Sequence, residues 1–309
     1  MPVCTNCAYP VDHVYTAYKT KSNIRLGVCP RCDQFLDPLI EHPDLIILLD
    51  LILLKPRVFL HLLFNRRSPP FDTDKGTESS GKDNQVIRQQ RLSQDLWKLS
   101  AISVLAETVL RFLPSVTGEC RITVYQVIIT CGLVLLEGIT QHAVTLSLTL
   151  LALRIRRWYP VTLKRKVVDS RKRDGRQENF LPILVPLTIL YTSLIPLLLQ
   201  LILSIWYTPP QSIHEHLPTT NMALSFISSL PFNVPPELLD LEIALNHAWS
   251  RSDRIWIGTR LLGGMSAGFG LRVLLPTRPW ETTGIVLAGW IGSALIEPVA
   301  RSYIASIGA

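Results

Sequence analysis

A chain of 309 residues that is 48% apolar and only 18% charged, with a mean hydropathy of +0.26, is too apolar to be disordered and too hydropathic for an ordinary water-soluble domain. It reads as membrane-embedded. Six cysteines are too few for a disulfide-rich secreted scaffold, while a net charge of +7 leaves both a nucleic-acid binder and an oriented membrane protein open until the basic residues are located.

Residues 1–42 are polar and hold four of the six cysteines. No signal-peptide pattern precedes Cys4, so the N-terminus is expected to be mature and structural. Cys4-Thr5-Asn6-Cys7 and Cys29-Pro30-Arg31-Cys32 are two knuckles separated by 21 residues. A two-residue spacing lets both sulfurs of a knuckle reach one ion, and four soft ligands suit tetrahedral Zn²⁺. The short apolar runs between the knuckles, 14–18 and 24–26, have the character of a β-hairpin. A disulfide pair and a thioredoxin-like redox pair are the competing readings. The first is disfavoured without a secretory leader and the second because one motif would suffice. The pattern therefore predicts a zinc ribbon with Cys4, Cys7, Cys29 and Cys32 as ligands. A shell filled by four cysteines leaves no position for a catalytic water, so this zinc is structural. Cys120 and Cys131, isolated beside apolar residues, are expected to be inert.

Residues 43–65 are strongly apolar but interrupted by Asp50, Lys55, Pro56 and His61. Their uncharged runs fall short of the ~20 residues a spanning helix needs. A buried or interfacial helix pair broken at Pro56 is expected instead. The composition of 66–90 then turns to Ser, Pro, Asp, Lys and Gly, which predicts a disordered linker. Beyond it, 91–309 reads as a multi-pass region of about four or five helices. Segment 96–113 carries Lys98, Glu107 and Arg111 and is ambiguous between a surface helix and a polar-tinged span. Segments 122–155 and 181–206 are clearer, the latter having no charge at all. A polar stretch at 207–253 precedes two Gly-rich apolar segments, 255–275 and 282–307. No internal repeat is evident.

The charge is concentrated. Between Arg154 and Arg176 stand ten basic residues against two acidic ones, a local excess of eight that leaves the remainder of the chain at −1. A run of this kind can be a solvated loop, a nucleic-acid patch or a cytosolic loop flanking membrane helices. Its place between two very apolar segments points to the last, with no nucleic-acid partner. Two crossings before it, at 96–113 and 122–155, would return the cysteines to the cytosol, where thiolates are kept reduced.

The remaining polar residues each have a bland reading and a sharper one. Asp50 and Lys55 can pair locally, or contact a lipid headgroup or partner. His61 reads as a packed histidine rather than a catalyst, and Glu137 with His142 as a polar helix interface or, more sharply, a transport pathway; His61 and Glu137 are thus further candidate lipid or partner contacts. His214 and His216 lack a third ligand in register. Gly264 with Gly268 and Ala288 with Gly292 are small-xxx-small pairs expected to pack the last two helices closely. No serine triad, phosphate loop, catalytic carboxylate pair or zinc-protease motif is present, which argues against an enzyme.

The two knuckles, Asn23-Ile24-Arg25-Leu26 before the second, Asp37 and Glu41, the run from Leu49 to Pro56, and His61-Leu62-Leu63-Phe64-Asn65 together resemble the homology domain of the ARV family, the ACAT-related proteins required for viability, in a fungal-type form. The resemblance is dense over about the first 65 residues; the rest matches only as several transmembrane segments. Phe59-Leu60 stand where the family usually has Tyr-Arg, and Pro38-Leu39 where it has Lys-Tyr. The resemblance implies a non-enzymatic, multi-pass protein of the endoplasmic-reticulum membrane acting in sterol distribution, with linked effects on sphingolipid metabolism and GPI-anchor assembly. Its implied partners are membrane lipids, sterol among them. The alternative is a scaffold or accessory subunit for GPI-anchor or sphingolipid synthesis enzymes. The expected architecture is a mainly α-helical multi-pass membrane protein with a small N-terminal β zinc ribbon.

Overall fold

The computed structural model describes residues 1–18, 24–72, 81–116, 123–159, 174–206 and 254–307. Its N-terminal cysteine knuckles are near copies of one another. Cys4 N–H donates to the Tyr9 carbonyl and Cys29 N–H to that of Gln34, while Ala8 N–H and Asp33 N–H return to the Cys4 and Cys29 carbonyls. The residue after each second cysteine, Ala8 or Asp33, takes a left-handed conformation, with φ of 56° and 53°. This reversal closes each knuckle, at a steric cost that a packed surrounding must hold in place. The knuckle is thus a local repeat, although only its cysteines are repeated in sequence.

Strands β1 (Tyr15–Ala17) and β2 (Ile24–Leu26) pair antiparallel with Thr16 opposite Arg25. A third strand, β3 (Phe71–Asp72), adds in parallel to the free edge of β1. This differs from the disordered linker expected at 66–90. The chain returns to the ribbon at 71–72, and helix α3 (Gly81–Val116) already covers 81–90. Low apolar content there reflects a helix end whose Val86 and Ile87 remain exposed, and composition cannot distinguish that from disorder.

After β2, Asp37 caps a short 3₁₀ turn at Pro38–Glu41, accepting a bond from Leu39 N–H. Helix α1 (Asp44–Ile52) follows, ends where Leu54 turns left-handed at φ 53°, and gives way to α2 (Pro56–Leu60). Pro56 occupies the first turn of α2, where its missing N–H costs nothing. A π-turn at His61–Asn65 continues α2, and everything from Val58 to Asn65 is buried.

The body of the molecule consists of α3, α4 (Val124–Ile155), α6 (Leu184–Trp206), α7 (Arg254–Leu274) and α8 (Pro279–Ile307), with a one-turn α5 (Gly175–Glu178) leading into α6. They alternate in direction. The start of α3 meets the ribbon side, because Arg88 donates to the Leu63 and Asn179 carbonyls. The end of α4 returns there, with the Trp158 carbonyl accepting from Gln177 at 2.7 Å. The end of α7 lies there too, its Val273 carbonyl bound by Arg176 at 3.0 Å. Among the described residues three helices are long and apolar enough to cross a membrane: α4, α6 over Leu184–Leu203 and α8 over Pro279–Ala300. Helix α3 carries more charge, and α7 is apolar only over Leu261–Leu274. The protein is mainly helical and multi-pass, with a small β ribbon at one end of its bundle. Residues 160–173 at the centre of the basic loop, the stretch 207–253 with His214 and His216, and Cys120 lie outside the described residues.

Candidate metal centre and the polar lock beneath it

The ligand atoms of Cys4, Cys7, Cys29 and Cys32 all lie within 4.8 Å of one another, with Cys4 and Cys29 buried. Cys4 Sγ is 3.8 Å from Cys32 Sγ, and Cys7 Sγ is 3.6 Å from Cys29 Sγ. A tetrahedron with metal–sulfur bonds of ~2.3 Å has edges of ~3.8 Å, so the four sulfurs fit one such ion. Burial pushes the Cys4 and Cys7 thiols above their ordinary range. At Cys32 burial acts in the same sense, but bonds from the Gln34 backbone and the Asn6 side chain outweigh it and bring the thiol to about 7. The Arg31 backbone N–H, 3.5 Å from Cys29 Sγ, is oriented to support a thiolate. A divalent soft cation would supply the remaining stabilisation.

Directly below lies a buried polar cluster. Asp37, fully buried, accepts three bonds: from Leu39 N–H at 3.2 Å, from Asn65 Nδ2 at 2.8 Å and from His61 Nδ1 at 2.7 Å. A carboxylate only accepts, so His61 must carry its proton on Nδ1. Asn65 completes the cluster by binding both backbone groups of Val3, N–H to Oδ1 and Nδ2 to the carbonyl, each at 2.8 Å. His61 and Asn65 stand four apart on the π-turn, whose wider spiral aims both at Asp37. The cluster joins the ribbon to the helix pair across the boundary expected at residues 42 and 43.

The ribbon is in turn docked on the bundle. Gly175 N–H donates to the Ala8 carbonyl at 2.8 Å, and a Cβ on Gly175 would stand 2.6 Å from Val3 Cγ1 and 2.9 Å from the Ala8 carbonyl oxygen. Glycine is required by that approach. Asp37 and Asn65 stand in the motifs of the resemblance, yet nothing in the sequence marks their role, and nothing marks Gly175. An isolated polar residue or glycine carries no spacing signal that would have found them.

Of the other expected sites, Lys55 Nζ lies 2.6 Å from Asp50 Oδ1, so the two charges neutralise each other at the end of α1. Glu137 sits between α4 and α3, where Arg111 donates to it at 3.0 Å and also reaches Glu107 at 3.3 Å. Gly264 lies against the Trp290 ring of α8, and Gly292 against Val144 of α4; Gly268 has open space where a Cβ would be. Ala288 is half-buried, while its neighbour Gly289 meets Thr145 of α4. The close approaches thus join α8 to α4 as well as to α7.

A family profile described as the Arv1-like family matches residues 3–230. Among curated relatives, the chain is 48% identical to Protein arv1 of Schizosaccharomyces pombe over 66 residues, 21% of this chain and 25% of the relative. It is 32% identical to Protein ARV1 of Candida albicans over 98 residues, 31% of this chain and 33% of the relative. It is 38% identical to Protein ARV1 of Saccharomyces cerevisiae over 63 residues, 20% of this chain and 19% of the relative. The matched stretches thus span a third or less of those relatives' own lengths. No solved structure matches the chain. With a profile that runs from the first knuckle through the described parts of α3, α4 and α6, the chain belongs to the Arv1-like family.

Proposed function

We propose that the chain mediates sterol homeostasis at the endoplasmic-reticulum membrane, helping sterol move or distribute from it, with linked effects on sphingolipid metabolism. It works without catalysis, and Cys4, Cys7, Cys29 and Cys32 hold one structural Zn²⁺. The observation that carries this reading is the family match. The sulfur spacing supports the metal, since tetrathiolate Zn²⁺ has the edge lengths found. The ribbon faces the cytosol. Support for that orientation comes from the fold: the ribbon shares one end of the bundle with both flanks of the basic loop, and such a loop is retained on the cytosolic side.

The test is sterol exchange between vesicles carrying the purified chain and acceptor vesicles without it, using a labelled sterol. Faster exchange than in protein-free vesicles is expected. Vesicles that neither bind nor exchange the sterol, while the protein captures enzymes of GPI-anchor or sphingolipid synthesis, would replace this reading by that of an accessory subunit.

A further inference from the structure

Helix α1 is apolar on two opposite sides. Ile47, Leu51 and Leu54 face inward onto the core that also holds α2 and α6. The other side presents Leu45, Leu48, Leu49 and Leu53, with 67%, 43%, 50% and 68% of their surfaces exposed. Positions 45, 48, 49 and 53 recur at the spacing of one helical face. The outward side is therefore a continuous leucine stripe. Its nearest charges do not break it: Asp50 is neutralised by Lys55 at 2.6 Å, and Asp44 stands at the helix N-terminus.

The level of this stripe is set by its neighbour. Helix α2 is wedged into the bundle, with fully buried Phe59 edge-on to Phe269 of α7, their ring centres 6.2 Å apart. The same Phe59 touches the Cβ position of Gly270, which also meets Thr188 and Thr192 of α6. Thr188 lies one turn inside the apolar segment Leu184–Leu203. Helix α1 enters α2 through Leu53 and Leu54 and itself touches α6, so it lies within a turn or two of the point where that segment begins. Trp280, 67% exposed in the first turn of α8, stands at the same end of the bundle, where interfacial tryptophans belong. Nine residues give a helix of ~14 Å, too short to cross a bilayer core of ~30 Å.

We infer that α1 is an interfacial helix whose stripe of Leu45, Leu48, Leu49 and Leu53 is embedded in the acyl region of the leaflet on the ribbon side. The occupant is lipid. Beside the stripe α6 is buried from Leu184 to Thr192, and it turns apolar side chains outward only further along, at Leu198, Leu199 and Ile202. The cations at the end of the stripe are held by the protein, Lys55 by Asp50 and Arg57 by Asn6 Oδ1 at 3.1 Å, so they leave the stripe itself uncharged. The helix pair broken at Pro56 thus divides its roles: α2 is the buried half and α1 the lipid-facing half. This inference rests on the reading that the bundle spans a membrane.

The test places p-benzoylphenylalanine at position 49 of the full chain, with parallel chains labelled at Leu135, exposed on α4, and at Arg25, exposed on β2. Each is reconstituted in phosphatidylcholine–phosphatidylserine vesicles and irradiated. The expected result is a mass shift of one phospholipid on the peptides containing positions 49 and 135, and none on that containing position 25. Adducts at 135 without any at 49 overturn the inference and leave the membrane bundle intact. A crosslink from 49 to another protein chain overturns it in favour of a protein partner. Loss of adducts at both positions overturns the membrane reading and the inference with it.

Discussion

Asn65 binds two backbone groups of Val3 and one oxygen of Asp37, so a single amide spans the ribbon, the 3₁₀ cap and the π-turn. Both of its amide hydrogens are used, and the orientation of the amide follows from having one donor and two acceptors around it. Replacing it by leucine keeps much of the volume but strands the Val3 N–H and carbonyl in a buried site. Each group left unsatisfied costs about 1–3 kcal/mol. Asn65→Leu is therefore expected to lower the thermal midpoint of the metal-loaded protein by several degrees, and an unchanged midpoint would show that the cluster contributes nothing to stability. Asn65→Asp should be worse, since it removes the donor to Asp37 and sets a second carboxylate against the first.

Helices α3 and α4 are joined by a charge pairing that also explains the mixed composition of α3. Lys98, Glu107 and Arg111 made 96–113 ambiguous as a span, yet Arg111 turns toward α4 and divides its guanidinium between Glu107 and Glu137. The outward positions, Trp97, Ile102, Leu105 and Val109, are apolar and exposed. Hydropathy sums over all faces and so scores the paired Glu107 and Arg111 against the helix together with the exposed Lys98. In α4 and α6, whose apolar runs are longer, the same sum suffices. Arg111→Ala would leave two carboxylates facing each other at a helix interface. Breaking a buried pair in this way costs about 3–5 kcal/mol; here the groups are partly buried, so the lower end is expected. Arg111→Met combined with Glu137→Met should recover much of that loss, because neither charge is then stranded. Thermal unfolding of the single and double variants in one detergent checks this; a double variant no better than Arg111→Ala would mean that the pairing does not hold α3 to α4.

At the scale of the molecule, the four cysteines were legible because a repeated two-residue spacing is a local signal, and the apolar bundle because its runs are long. The docking of the ribbon was not, since the contact of Ala8 with Gly175 joins parts of the chain far apart in sequence and leaves no periodicity in either. That docking makes a prediction about metal removal. A ribbon whose own buried set is Cys4, Val14, Cys29 and Leu36 has too small a core to fold unaided, whereas a structural Zn²⁺ contributes about 10–16 kcal/mol to folding. Stripping the metal with a chelator, or preventing its binding with Cys29→Ser and Cys32→Ser, should therefore unfold the ribbon and release α5 with it. The bundle below is held by its own contacts, Gly289 on Thr145 and Gly270 on Thr188 among them. Metal analysis is expected to show one zinc per chain lost, and hydrogen exchange on the chain in detergent is expected to show protection falling in 3–18, 24–36 and 174–179 while α4 and α6 stay protected. Equal loss of protection in α4 and α6 would mean that ribbon and bundle fold as one cooperative unit, and unchanged protection in 3–18 would mean that no metal holds the knuckles together.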